Sequence, residues 1–483
     1  MTVQAHALYE ARLLLGGQAL ATLRQGEVRS PATEALIGTY ALASAAEVEH
    51  AVQEANAAFA AWSARTAWER EGIIRAASAH ARSQAAAIGR LMALEQGKPL
   101  KQAVAEVVGA CDCLDYFAAE GVRTAGDILS AEKSSFRSYV TRHAVGVVAA
   151  ITPWNYPVAL LSWKLGPALA AGCTVIVKPT PVTPLSPHAF CAALLAGGLP
   201  AGVLQFLTGD DDTVGSRLVA HPQVAKLAFT GSTATGRKLM ALAGPLFKHI
   251  TLELGGNCPA LVLADADLPR TAKAIAYKAF RNMGQSCSGI NRIYAHAAIH
   301  DRLVELVAAE AAVLSFGDGV TGSEGDLGPM ATRAGRARVQ EHVQDALAHG
   351  GRLHCGGGIP NDRAQGFFYQ PTVLSGLSPS WRIHREESFG PLAPFAAWSE
   401  LDEAVRLAND TEYGLCAFVF GRDLAQTMRV SERLEAGTVC VNHVAVNTTY
   451  APYQGWKASG VGVELSRDAM GEYLKRKHLK VEL

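Results

Sequence analysis

Residues 146–179 read GVVAAITPWNYPVALLSWKLGPALAAGCTVIVKP: an apolar run, a segment of helix length, and a second apolar run ending at Lys178 and Pro179. The runs VVAAI and TVIVK lack polar alternation, which predicts strands buried on both faces. The stretch Val158–Ala171 between them is long enough to be the crossover helix of a parallel pair. The alternation continues outward on the C-terminal side. A helix is expected over 187–195, a strand at VLQFLTG (203–209), a helix near 214–220, a strand at KLAFTG (226–231) and a helix from Thr235. Upstream, residues 45–120 are Ala-rich, with apolar positions three and four apart. AEVEHAVQEANAAFAAWSA (46–64) and REGIIRAASAHARSQAAAIGRLMALEQG (70–97) each predict one helix, the second capped by Gly97. A second alternating block spans about 258–440. Strands are expected at CPALVLA (258–264), NRIYAHA (291–297), VLSFGD (313–318) and GTVCVN (437–442), and helices at LPRTAKAIAYKAF (268–280) and HDRLVELVAAEAAVL (300–314). The tail MGEYLKRKHLKVEL (470–483) closes in a strand-like piece that pairs naturally with residues around 120–145 as a small arm.

The 483 residues exceed what one core organises, so two large domains are expected. Lys plus Arg and Asp plus Glu both number 44, and this balance argues against a nucleic-acid partner. The nine cysteines are odd in number and irregularly spaced, the usage of a reducing compartment. Cys111 and Cys113 form a C-x-C pair without a second pair, so no metal site is expected. The start, MTVQAHALYEARLLLGG, has no basic segment followed by an apolar run, and the apolar stretches near 147–151 and 165–177 are cut by prolines and glycines. The expectation is a cytoplasmic protein without signal peptide or membrane span.

Five short motifs carry chemistry. FTGSTATGRK (229–238) places Gly231 and Gly236 around a strand–turn–helix junction, where free N–H groups and a positive helix end suit a pyrophosphate. It lacks the G-x-G-x-x-G fingerprint, and alone it reads better as a tight turn. Lys178 ends an apolar strand, at the edge where open α/β sheets bind ligands. ITPWNYP (151–157) holds Asn155 between stiffening prolines, and its amide could serve an oxyanion or cap a turn. LELGGN (252–257) places Glu253 before two glycines, and GQSC (284–287) places Cys287 after a flexible stretch. A thiolate attacks an aldehyde carbon, and a nearby carboxylate can activate the water that releases the acyl group.

PWN, KP, FTGST-x-x-G, LELGG, GQ-x-C and EESFGP occur here in the order and near the spacing of the aldehyde dehydrogenase superfamily, and the chain resembles that family from about residue 20 to its end. The resemblance implies an α/β fold with two doubly wound Rossmann-like domains and a small β oligomerisation arm. The expected division is 1–122 with 146–254 for the dinucleotide, 255–445 for catalysis, and 123–145 with 446–483 for the arm and C-terminal segment. It implies NAD or NADP as cofactor and a homodimer or homotetramer. Cys287 resembles the nucleophile, Asn155 the oxyanion donor and Glu253 the base, with Lys164 and Glu464 matching a proton relay. Ile151, Thr152, Pro153, Trp154, Lys178, Gly231, Ser232, Gly236, Leu254, Glu387 and Phe389 match cofactor positions. Glu253 favours hydrolysis over transfer to coenzyme A.

Three departures bear on specificity. Pro181 stands where NAD-preferring members often carry Glu, so cofactor preference stays open. Arg281, in KAFRNMGQSC, matches one of the two arginines that hold the substrate carboxylate in the succinate-semialdehyde dehydrogenase-like branch. The other is Trp163 here, a residue typical of members acting on neutral, aromatic or quaternary-ammonium aldehydes. The segment PYQGWKASGVGVE carries Gln454 and Val463 in place of a glycine and an arginine. A short semialdehyde is expected as substrate, with a neutral or aromatic aldehyde as the alternative.

Overall fold

In the computed structural model, residues 8–318 and 325–483 are described; residues 1–7 of the N-terminal stretch discussed above lie outside them. The buried runs around 146–179 are the centre of an eight-stranded sheet. Its five parallel strands stand in the order His249–Glu253, Val224–Thr230, Val147–Thr152, Thr174–Pro179, Leu204–Phe206. In chain order that is 5-4-1-2-3, so the direction of winding reverses between Val147–Thr152 and Val224–Thr230, and ligands of doubly wound sheets bind at such a reversal. Antiparallel strands close both ends: Gly460–Val461 beside His249–Glu253, and Leu13–Leu15 with Gln18–Leu20 beyond Leu204–Phe206.

A seven-stranded sheet follows, in the order Arg352–Cys355, Thr372–Ser375, Leu392–Trp398, Ile290–His296, Cys258–Val262, Cys416–Phe420, Thr438–Val441. All its neighbours are parallel except the first pair. The chain passes from one sheet to the other through residues 254–257. A third sheet of Leu474–Glu482, Phe136–Ala144 and Asp127–Leu129 is antiparallel and largely exposed, the arm expected from the tail and residues 120–145.

Two expectations fail. The segment 70–97 is two helices, Ala67–Ser83 and Ala85–Gln96, broken at Gln84 with neither Gly nor Pro to signal it; Gly97 does cap the second in left-handed geometry. VLSFGD forms no strand: Phe316 makes only an isolated bridge to Leu327, and Val313 is exposed. Among the described residues no helix is long and apolar enough to cross a membrane.

Candidate active site

At the carboxyl edge of the first sheet, the loop after Val147–Thr152 carries Pro153, Trp154 and Asn155. Trp154 meets Phe389 edge to face, centroids 5.3 Å apart, and Phe389 holds a left-handed backbone (φ 49°) to do so. Ile151, Thr152 and Leu254 are buried beside this loop, and Thr152 Oγ1 has no hydrogen-bond partner. Lys178 is buried at the next strand end; its stem passes Gly215, where an added Cβ would lie 3.9 Å from its Cε.

Gly231 donates its N–H to the Glu253 carbonyl (3.0 Å). Ser232 caps the helix Thr233–Ala243, accepting from Thr235 N–H at 3.2 Å, which leaves a helix N-terminus facing the edge. Gly236 lies within that helix, where a Cβ would meet Leu254 at 2.5 Å. Glu387 accepts from Gly256 N–H (3.0 Å), and burial pushes its carboxyl up to about 7. An unmet buried hydroxyl, a strand-end lysine, a helix N-terminus and a carboxylate suited to ribose hydroxyls fit a nicotinamide dinucleotide. No group of His, Cys, Asp and Glu among the described residues is arranged to hold a metal.

Cys287 sits on the far side of this edge, at the amino end of the strand Ile290–His296. The turn before it is strained: Asn282, Met283 and Gly284 have φ of 53°, 58° and 65° in succession. A Cβ on Gly284 would lie 2.0 Å from the Gly390 carbonyl, so only glycine fits. Gln285 braces the turn, donating to the Asn282 carbonyl (3.0 Å) and accepting from Ala331 N–H (2.9 Å). Gly256 packs so closely that its Cβ would lie 2.2 Å from the Cys287 carbonyl, and that carbonyl also accepts from the Cys258 thiol at 3.4 Å.

The Cys287 sulfur lies 3.7 Å from the Tyr453 hydroxyl, and Tyr453 stacks edge to face on Trp163 at 5.2 Å. Burial pushes the Cys287 thiol up to about 12, against the hydrogen bond with Tyr453, and the nearby Glu387, Cys258 and Glu253 add to the rise. Asn155 Nδ2 donates to the Gln285 carbonyl (3.2 Å), leaving its second N–H available, and the Asn155 carbonyl accepts from Lys98 (2.7 Å) and Asn282 (3.1 Å). Lys98 is in turn paired with buried Glu106 at 2.5 Å.

Glu253 ends its strand with both carboxylate oxygens buried and without a hydrogen-bond partner. Burial, then the charge of Glu464, raises its carboxyl well above the ordinary range, against the opposing pull of Lys164. Lys164, fully buried, donates to Glu464 (2.7 Å) and Thr230 (2.5 Å), while the second Glu464 oxygen has no partner. Arg281 donates to the Tyr277 hydroxyl (2.6 Å), and its Nε is buried and unpartnered.

Of the residues singled out from sequence, Cys287, Glu253, Asn155, Lys164 and Glu464 thus fall around the 254–257 crossing. Tyr453, Gln285 and the Lys98–Glu106 pair were not singled out. Tyr453 lies in the departing PYQGWK segment and Gln285 in the quoted GQSC, signals that were present but attached to neighbours.

The aldehyde dehydrogenase family profile matches residues 20–479. The chain is 39% identical to the NADP(+) succinate-semialdehyde dehydrogenase of Escherichia coli (strain K12), over 99% of this chain and 98% of that one. It is 40% identical to the 3-sulfolactaldehyde dehydrogenase of Pseudomonas putida, over 94% and 92%. The crystal structure of succinate-semialdehyde dehydrogenase from Burkholderia pseudomallei superposes with a TM-score of 0.95 at 40% identity, covering 98% of each chain. Matched over nearly its whole length, and with Cys287, Glu253 and Asn155 set around one crossing between two doubly wound sheets, the chain belongs to the aldehyde dehydrogenase family, an NAD(P)-dependent oxidoreductase that converts an aldehyde to its carboxylic acid.

Proposed function

We propose that the substrate is a short aldehyde bearing an acidic group, and that Cys287, Glu253 and Asn155 carry the chemistry. The observation behind the substrate is the cation-lined pocket beside Cys287. A cavity of about 350 Å³ is bordered by Arg281, Lys278, Ser286 and Ser288, the two serines flanking the nucleophile in the chain. The relatives point the same way, being named for succinate semialdehyde and 3-sulfolactaldehyde.

Cys287 attacks the carbonyl carbon, forming the C–S bond of a thiohemiacetal. Its oxyanion is held by the free Asn155 amide N–H and the Cys287 backbone N–H. A bound NAD or NADP supplies the hydride acceptor for this chemistry. Loss of the hydride leaves a thioester on Cys287, and Glu253 draws a proton from the water that cleaves it, releasing the acid and the thiol. Glu253's raised pKa equips it to take that proton and, earlier, the one from Cys287. Glu464 and Lys164, hydrogen-bonded to each other, would relay that proton away from Glu253. Lys178, Gly231, Ser232, Glu387 and Phe389 hold the cofactor, with 1–122 and 146–254 as its domain and 255–445 as the catalytic domain. The exposed arm sheet suits assembly into a cytoplasmic homodimer or homotetramer.

A second reading rests on the Trp163–Tyr453 stack over Cys287, an aromatic wall suited to a neutral or aromatic aldehyde. The test is the initial rate of cofactor reduction with succinic semialdehyde and butyraldehyde, each with NAD and NADP, against Cys287→Ala. Preference for the semialdehyde supports the acidic substrate. Preference for butyraldehyde puts the aromatic wall in command.

A further inference from the structure

The helix Leu268–Phe280 runs its C-terminal end into the substrate pocket and carries two cations there, Lys278 in the last turn and Arg281 just past it. Neither has a carboxylate partner among the described residues. The third cation of the pocket, Lys98, is already neutralised by Glu106 at 2.5 Å. Lys278 donates one hydrogen bond, to Ser288 Oγ at 3.0 Å, which leaves two of its three N–H groups unspent. Ser288 lies 3.3 Å from Ser286 Oγ, so a hydroxyl pair extends from the ammonium on either side of Cys287 in the chain.

Lys278 is half-buried, with its ammonium set among apolar and thiol groups. Its ammonium lies 5.9 Å from the Phe418 ring, and the Cys258, Cys416 and Cys440 thiols are close enough to act on its charge. Burial accordingly pulls its pKa down. A desolvated cation with no counter-charge is costly, and an anion delivered by the ligand removes that cost. Trp163 leaves the helix after PWN without a cation for this task, so a second positive contact has to come from another wall.

We propose that Lys278, acting with the Ser286–Ser288 hydroxyls and beside Arg281, is the second anchor for the anionic end of the aldehyde. This assignment rests on the acidic-aldehyde reading above. A lysine is a compact point charge with rotatable donors, so it takes a carboxylate end-on and leaves planar, two-pronged recognition to Arg281.

The experiment compares wild type, Lys278→Met, Lys278→Arg and Arg281→Met by kcat/KM for succinic semialdehyde and for butyraldehyde. In Lys278→Met the semialdehyde-to-butyraldehyde ratio falls about 10- to 100-fold, through the KM of the semialdehyde. Lys278→Arg restores part of it, and succinate becomes a weaker competitive inhibitor against butyraldehyde in Lys278→Met. If wild type shows no semialdehyde preference, the acidic-substrate reading fails and the anchor with it. If wild type prefers the semialdehyde and Lys278→Met keeps the same ratio, the anchor alone fails. Equal loss of both substrates through kcat also overturns it, by making Lys278 a support for the Cys287 loop. Should Lys278→Met not fold, Lys278→Gln carries the same comparison.

Discussion

The eight-stranded sheet meets the active site with its carboxyl edge, through 153–155, Lys178 and Gly231–Ser232. The seven-stranded sheet meets it with its amino edge, since Cys287 precedes the strand Ile290–His296 and Gly255–Gly256 precede Cys258–Val262. The two edges offer different raw material. At a carboxyl edge, loops run into helix N-termini and present N–H groups, so ordinary backbone serves a dinucleotide. At an amino edge, loops arrive from helix C-termini, whose partial charge is negative. Nothing there binds an anion or activates a thiol without added effort. In the proposed mechanism the protein supplies that effort as side chains: a left-handed turn to aim Cys287, an amide from across the cleft, a carboxylate from the other sheet and a lysine in a helix's last turn.

The comparison breaks most readily at Glu253, the carboxylate that the carboxyl edge lends to the other side. Glu253→Gln is expected to lose about 10²- to 10⁴-fold in turnover and to slow the burst of reduced cofactor as well, because the same carboxylate takes the Cys287 proton and activates the water that cleaves the thioester. Stopped-flow absorbance checks this. The same variant has a pH signature. The folded-state pKa of Glu253 lies above that of the unfolded chain, so ionisation costs stability as pH rises through that interval. The Tm advantage of Glu253→Gln over wild type is therefore expected to grow as pH rises above the ordinary carboxylate range.

A smaller loss is expected from Gly256→Ala, whose Cβ would lie 2.2 Å from the Cys287 carbonyl. Displacing the Cys287 loop should lower kcat about 100-fold while leaving cofactor affinity within a few-fold, measured by cofactor fluorescence titration. A comparable fall in cofactor affinity would mean the edges are not separable. The smallest effect belongs to Ser232→Ala, which removes a helix cap at the carboxyl edge. It should cost about 1 kcal/mol of stability and a few-fold in cofactor Kd, since the N–H groups remain.

The layers were legible in sequence because fully apolar strands flanking a helix have few other uses. The strand order 5-4-1-2-3 was not, since alternation says nothing about which neighbour a strand chooses. Cys287, Glu253 and Asn155 could be nominated as candidates because each stands in a short motif matched to the family. Lys278 could not: in LPRTAKAIAYKAF it resembles any solvated helix lysine, and only packing shows the helix end entering the pocket. The break at Gln84 was missed for a similar reason, as no glycine or proline marks it.

The high pKa of Cys287 has a consequence for the enzyme at rest. With the thiol pushed up by burial, Cys287 rests protonated near pH 7. Peroxides and alkylating agents consume thiolates, so the idle protein should be slow to poison and long-lived under oxidative exposure. Its sulfur becomes vulnerable on the same occasion that it becomes useful, when a base takes its proton.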